Sequence, residues 1–240
     1  MNHIISFALG SIWRWSDAKN RNSLLFYAKK LNTSGIELTF STKEELYSFK
    51  VSENNKLWLK DLDYVSIHAP FKLMKKSEND EEIIKQLTII TKLYNEFNAK
   101  NVIIHPEELP LPEILDEFDV DVSTENLPPK NHISICDLRK IFYTYPNISL
   151  CLDVSHAYRW SKYETGNLIE AFKNKISQIH LSGTYKNKEH QSLRNVTKEF
   201  IFSIQPIKKL HVPIVIEEDT NIKNLKFIKD EIKYIRNFFD

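Results

Sequence analysis

The sequence predicts an α/β fold, a single-domain (β/α)8 TIM barrel over residues 1–240, and three observations carry that expectation. The chain has 240 residues, within the roughly 200–250 that eight βα units need. Eight short runs rich in Ile and Val recur along it, and continuous apolar runs suit strands covered on both faces, as in a parallel sheet. Between the runs lie segments whose apolar residues repeat at helical spacing. Strands alternating with helices imply parallel pairing through right-handed crossovers. Eight such units close more naturally into a barrel than into an open doubly wound sheet.

The runs are Ile4–Leu9, Gly35–Phe40, Tyr64–His68, Asn101–His105, Val120–Glu125, Ile148–Asp153, Ile176–Leu181 and Ile214–Glu217. The first lies in MNHIISFALGSIWRW, which lacks the basic start and long uncharged stretch of a signal peptide and so reads as a strand. Helical patterns cover Asn20–Leu31, Glu81–Phe97, Ser134–Tyr145, Asn167–Lys175, Ser192–Leu210 and Asn221–Phe238. Lys43–Lys60 reads as a broken helix and Pro110–Phe118 as a short, proline-flanked one. No linker or low-complexity tract divides the chain.

Composition removes several function classes. The chain carries 33 basic and 32 acidic side chains, a formal net charge of +1. Duplex DNA binders usually show a basic excess, because phosphate neutralisation supplies most of their affinity. Four glycines are too few and too scattered for a Gly-rich phosphate loop or a dinucleotide fingerprint. Two cysteines, Cys136 and Cys151, make neither a disulfide framework nor a zinc ribbon, which points to a reducing cytoplasm. No run approaches the ~18 apolar residues of a membrane span.

The polar residues that interrupt the apolar runs fall at their C-terminal ends. Strands three to eight end on His68, His105, Glu125, Asp153, His180 and Glu217, with His156 three residues beyond the sixth. In a barrel these ends share one rim, where active sites are built. Singly, a strand-end histidine is usually a hydrogen-bonded core residue, and a strand-end carboxylate often caps the next helix. Six together form a ligand set. Imidazole and carboxylate suit zinc, manganese or iron, and no thiolate is among them.

At these residues the sequence resembles the xylose isomerase-like barrel superfamily, which joins sugar isomerases and epimerases with endonuclease IV-type enzymes (AP endonuclease family 2). The matching segments are HAPF (68–71), VIIHPEE (102–108), STENLP (123–128), LDVSHA (152–157), IHLSGT (179–184), EHQSL (189–193) and VIEED (215–219). The first two strands match only in general character, through Gly35-Ile36-Glu37-Leu38. The resemblance implies that Glu125, Asp153, His180 and Glu217 hold one divalent ion of the zinc or manganese kind. It implies that His68 and His105, with Glu125 bridging, hold a second, and that His156 and His190 belong to a third. Lys188 stands where that third ion's aspartate belongs. A protonated ammonium offers no lone pair, so one or two ions are expected unless Glu189 rotates in.

Two mechanisms fit such a site. In a sugar or phosphosugar isomerase or epimerase, the ion polarises a carbonyl and stabilises the enediolate, while Glu125 and Glu217 remove and return the proton. His156, Arg194 and Lys188 are then candidates for substrate hydroxyl or phosphate groups, and Phe71, with Trp13 and Trp15, for an apolar pocket wall. In an endonuclease IV-like phosphodiesterase acting on abasic-site DNA, two ions sharing Glu125 clamp the phosphate, and Phe71 is a stacking wedge. His68 and His105 favour this second mechanism; Lys188 and short loops disfavour it. A third possibility is a barrel that binds a ligand without catalysis. The sequence leaves substrate identity and oligomeric state open.

Overall fold

The eight apolar runs all form strands, and their order closes a ring. The computed structural model describes residues 3–15 (backbone alone at 13–15), 21–71, 73, 79–219 and 225–239. The strands are β1 (Ile5–Ala8), β2 (Gly35–Thr39), β3 (Tyr64–His68), β4 (Asn101–Ile104), β5 (Val122–Glu125), β6 (Ser149–Asp153), β7 (Ile176–Leu181), β8 (Gly183–Tyr185), β9 (Lys188–Gln191) and β10 (Ile214–Ile216). Eight form a closed barrel in the order β1-β10-β7-β6-β5-β4-β3-β2, with every pair parallel. Each barrel strand is buried along almost its whole length, which is why these runs are apolar without alternation.

The helices are α1 (Arg21–Ala28), α2 (Lys43–Ser48), α3 (Glu53–Lys60), α4 (Asp80–Glu96), α5 (Pro112–Leu115), α6 (Ile135–Thr144), α7 (Val154–Trp160), α8 (Glu164–Phe172), α9 (Lys198–Ser203) and α10 (Leu225–Phe239). Their starts have chemical causes. Asn79 accepts a hydrogen bond from Glu82 N, and Asp80, Glu81 and Glu82 load the first turn of α4 with acid, as the helix dipole favours. Ser134 and Asp137 form a reciprocal capping box at α6, and Asp153 caps α7 by accepting from His156 N. The buried faces are periodic, with Ile83, Leu87, Ile90 and Leu93 on α4 and Ile228, Ile232 and Ile235 on α10. No described helix is long and apolar enough to cross a membrane.

Two stretches differ from expectation. The single helix expected over Ser192–Leu210 is three pieces: a 3-10 turn at Leu193–Asn195, α9, and a 3-10 segment at Gln205–Lys209. Thr197 caps a fresh start by accepting from Phe200 N, and Pro206 near the start of the last piece brings no N–H. The antiparallel hairpin β8–β9 is an addition that the apolar pattern does not predict. Its turn residues Lys186 and Asn187 both have positive φ, 49° and 61°, the backbone of a two-residue hairpin turn usually signalled by Asn-Gly.

Gly35 fixes how β1, β2 and β3 pack. A Cβ there would lie 2.2 Å from Ser6 Oγ and 2.5 Å from the Tyr64 carbonyl oxygen, and the carbonyl belongs to a strand that cannot retreat alone. Gly35→Ala is therefore expected to destabilise the fold by about 1–3 kcal/mol, the usual cost of overpacking. Urea denaturation at wild-type stability would contradict this packing. Cys151 is fully buried, and burial pushes its thiol up to about 12, whereas Cys136 is exposed. At pH 8 one thiol per folded chain should react with a thiol reagent and two after denaturation. Two fast thiols in the folded state would contradict the buried placement of Cys151.

Candidate functional site

Glu125 is the centre of the site. It ends β5, lies 2% exposed, and has imidazoles on several sides. His156 Nδ1 is 2.9 Å from Oε1, His180 Nδ1 is 3.1 Å from Oε2, and His68 Nε2 is 3.7 Å from Oε2. Burial alone would raise this carboxyl. The positive charge at His180 and the close imidazoles of His156, His180 and His68 outweigh burial and hold it well below the usual carboxylate range.

His180 owes its orientation to a carboxylate absent from the expected ligand set. Glu37, in the middle of β2 and fully buried, places Oε2 3.1 Å from His180 Nε2. Ser66 Oγ and Gln178 Nε2 also donate to that oxygen, at 3.0 and 2.8 Å, and Tyr64 OH donates to Gln178 Oε1 at 2.7 Å. His180 thus turns Nε2 to Glu37 and Nδ1 to Glu125 and Glu217, at 3.1 and 3.4 Å; burial opposes its protonation, but the carboxylates around it hold the imidazole well above its usual range, so a cation bound at Nδ1 would take the place of a proton. A carboxylate behind a histidine fixes ring and tautomer in this way at many metal centres. The signal in the sequence was a single acid between apolar neighbours in a strand, since a buried charge must be paired.

Asp153 divides its two oxygens. Oδ1 accepts from His156 N at 2.7 Å and Ser155 Oγ at 2.9 Å, while Oδ2 is buried with no hydrogen-bond partner among the described residues and lies 3.7 Å from His156 Nδ1. Asn126 holds this backbone, donating to Asp153 O and accepting from Asp153 N, both at 2.8 Å. Asp153 groups with Glu125 and His156, whereas Glu217 groups with His180 and Glu37. The two halves of the expected four-ligand set therefore meet through Glu125 rather than in one tight cluster.

His68, His105 and Glu125 bring three ligand atoms within 4.8 Å of one another. His68 Nδ1 is 2.8 Å from the Ala69 carbonyl, so Nδ1–H donates there and Nε2 is left toward Glu125. Burial pushes His105 down to about 3, which keeps it neutral near pH 7. Phe71 covers this pair, its ring 5.1 Å from His68 and stacked at 5.4 Å on His105.

A third group joins His156, Glu189 and His190. His190 has φ 58°, an uncommon backbone for a non-glycine residue. It is held by Asp219 N donating to His190 O and by Nδ1–H donating to Glu217 O, both at 2.8 Å. Glu189 is the carboxylate beside the two histidines, and it also lies 3.6 Å from Arg159. Lys188 points elsewhere: it is exposed on β9. Arg194 is exposed too, with its guanidinium 5.0 Å from the Phe227 ring. Neither is among the described residues lining the cavity over the site, a space of about 330 Å³ walled by Gly10, Arg21, Thr39, Phe71, His190 and Glu217 among others. The side chains of Trp13 and Trp15 lie outside the described residues.

The donor chemistry fits a divalent cation. Buried Asp153 Oδ2 has no hydrogen-bond partner among the described residues, and an unpaired buried lone pair is costly unless something else binds it; His180 Nδ1 faces two carboxylates, Glu125 and Glu217. Cys151 lies within ligand distance of Glu125 and His180, but its raised thiol is neutral and a poor ligand.

No protein-family model matches the sequence, and no curated protein matches it. Solved structures do. A D-tagatose 3-epimerase-like protein superposes with a TM-score of 0.71 at 16% identity, covering 100% of this chain and 98% of the other. The probable 3-DHS dehydratase AsbF of Bacillus anthracis gives 0.72 at 14%, covering 98% of each. Endonuclease IV from Thermus thermophilus gives 0.63 at 18%, covering 96% and 99%. At these identities the likeness speaks to architecture: the chain has the (β/α)8 barrel fold shared by xylose isomerase-like proteins.

Proposed function

We propose that the chain is a divalent-metal-dependent isomerase or epimerase of a small sugar. The observation that carries this reading is geometric. Glu125 and Glu217, from β5 and the end of β10, converge on the same nitrogen of His180, at 3.1 and 3.4 Å, and Glu217 also lines the cavity. A volume of about 330 Å³ is at the small end of ligand pockets and suits a monosaccharide.

The cation would be held by Glu125, Asp153, His180 and Glu217. When bound it polarises a carbonyl and so acidifies the neighbouring C–H. The proton work falls to the two glutamates. Glu125 is kept ionised by its imidazole neighbours and takes the proton. Glu217 is pushed up by burial, with Glu125 and Asp153 adding to the shift against His180 and His190, and returns a proton. Those directions belong to the chain without a cation, whose charge would lower both carboxyls; the division of roles rests on the two glutamates facing the same His180 nitrogen. Because Glu217 is 15% exposed at its side chain, its proton exchanges with water.

A second reading keeps support from a specific feature. The groups His68–His105–Glu125 and His156–Glu189–His190 exceed what one cation needs, and a phosphodiesterase using two or three ions would employ them. Nicking of abasic-site duplex by the zinc-loaded chain would favour it over the isomerase.

Solvent deuterium should enter a ketose at the carbon beside its carbonyl, read by NMR, in the manganese- or zinc-loaded protein. Glu125→Gln is expected to slow that exchange by about 100- to 10,000-fold; wild-type exchange in this variant would remove Glu125 from the mechanism. Glu37→Gln should weaken metal affinity by about 10- to 100-fold in a chelator competition, because His180 loses the negative charge behind its ring. Unchanged affinity would show that Glu37 only fills the barrel.

A further inference from the structure

The cavity has two chemically different walls. After β10 the wall is acidic, with Glu217 and Asp219 beside His190. After β1 and β2 it is made of Ser11, Thr39 and Ser41, together with Arg21. The walls adjoin, because β1 pairs with β10 on one side and with β2 on the other. A molecule of monosaccharide size therefore reaches both.

Charge decides what the second wall can receive. Arg21 is the only Lys or Arg among the described residues lining the cavity, and its charge is already matched. Nε and Nη2 donate to Glu45 Oε2 at 3.1 and 2.9 Å, and Nη2 donates to Ser41 Oγ at 2.6 Å. An anionic group placed against this wall would leave water without an unpaired cation to receive it, and Glu217 and Asp219 would face it across the cavity.

What the wall offers is hydroxyl groups. Ser11, 7% exposed, and Thr39, 3% exposed, both line the cavity, and neither Ser11 Oγ nor Thr39 Oγ1 has a hydrogen-bond partner among the described residues. Buried hydroxyls are normally satisfied, so these two point to a ligand that satisfies them. Ser41 Oγ accepts from Arg21 and keeps its own proton to donate. Thr39 ends β2 two residues beyond Glu37, on the same face of the strand, and pairs with His68 of β3, so its hydroxyl belongs to the rim that carries the ligand set. Gly10 stands beside it, and a Cβ there would meet Thr39 Cγ2 at 3.0 Å and Oγ1 at 3.4 Å, so a larger residue would crowd the hydroxyl.

We propose that Ser11 and Thr39 set the substrate class: they bind the hydroxyl groups at the far end of an unphosphorylated sugar whose carbonyl end lies toward Glu217 and His190. The proposal rests on the isomerase reading for the role of the carbonyl end. An alcohol hydroxyl both donates and accepts, as Ser and Thr do, so each pairing satisfies both partners. A phosphate dianion only accepts, and it brings charge that this wall does not neutralise.

The test uses the full chain loaded with manganese and a panel of unphosphorylated ketopentoses and ketohexoses beside their terminal monophosphates. Deuterium exchange, read by NMR, should favour the unphosphorylated member of each pair, with kcat/KM lower by about tenfold or more for the phosphate. Thr39→Val and Ser11→Ala should each raise KM for the free ketose by about 3- to 10-fold, the size of one neutral hydrogen bond, with the loss falling on KM rather than kcat. Thr39→Ser, which keeps the hydroxyl, should restore KM. Preference for the phosphates, or wild-type KM in both hydroxyl variants, overturns the proposal. Should Thr39→Val fail to fold, wild-type KM in Ser11→Ala overturns it. Ligand-observed NMR separates this proposal from its parent. Ketose binding that weakens in Thr39→Val, without exchange into any ketose, sustains the hydroxyl wall and sinks the isomerase. Equal exchange into free and phosphorylated ketoses sinks the wall's selectivity and leaves the isomerase. No binding of any ketose overturns both.

Discussion

A buried carboxylate shared by three imidazoles organises this molecule. Glu125 is almost completely removed from water, and His68, His156 and His180 reach it from β3, α7 and β7. Such a charge is tolerated only where it is surrounded by donors or cations. The barrel supplies them by closing, because only closure brings β3, β5 and β7 around one axis. The same closure gives every barrel strand a parallel neighbour on each side and forces the Ile- and Val-rich character of the runs.

Behind the rim, the interior of the barrel is polar as well as apolar. Tyr64, Gln178, Glu37 and His180 form a continuous hydrogen-bonded path from β3 through β7 and β2 back to β7, ending at Glu125. Each member fixes the next one's direction. Tyr64 orients the amide of Gln178, Gln178 and Ser66 orient Glu37, and Glu37 selects which nitrogen of His180 faces the cavity. Each bond of the network rigidifies the interior, although Glu37 Oε1 has no hydrogen-bond partner among the described residues. The proposed chemistry depends on that rigidity more than on the number of ligands.

Much of this architecture was legible in the sequence, and the exceptions have physical causes. The barrel strands could be read because burial on both faces leaves an uninterrupted apolar run. The rim residues could be read because they end those runs. Glu37 escaped notice because it sits inside a strand rather than at its end, where one acid among Gly35, Ile36 and Leu38 looks like noise until β7 is placed opposite it. The β8–β9 hairpin escaped because its turn uses Lys186 and Asn187 without a glycine. That hairpin also decides which carboxylate meets His156 and His190: position 189 supplies it, while Lys188 faces outward. Arg21, Ser11 and Thr39 come from the ends of the first two βα units, and no linear pattern joins them.

The divided duty of Asp153 carries a consequence for redesign. One oxygen starts a helix and the other lies unpaired 3.7 Å from His156 Nδ1, so under the proposed function the residue would couple secondary structure to ion capture through a single planar group. Asparagine keeps the carbonyl that caps α7 while replacing the second lone-pair donor with an amide. It therefore separates the two duties, and serine or alanine does not. The barrel thus offers a position where holding the backbone and holding the proposed cation can be taken apart one oxygen at a time.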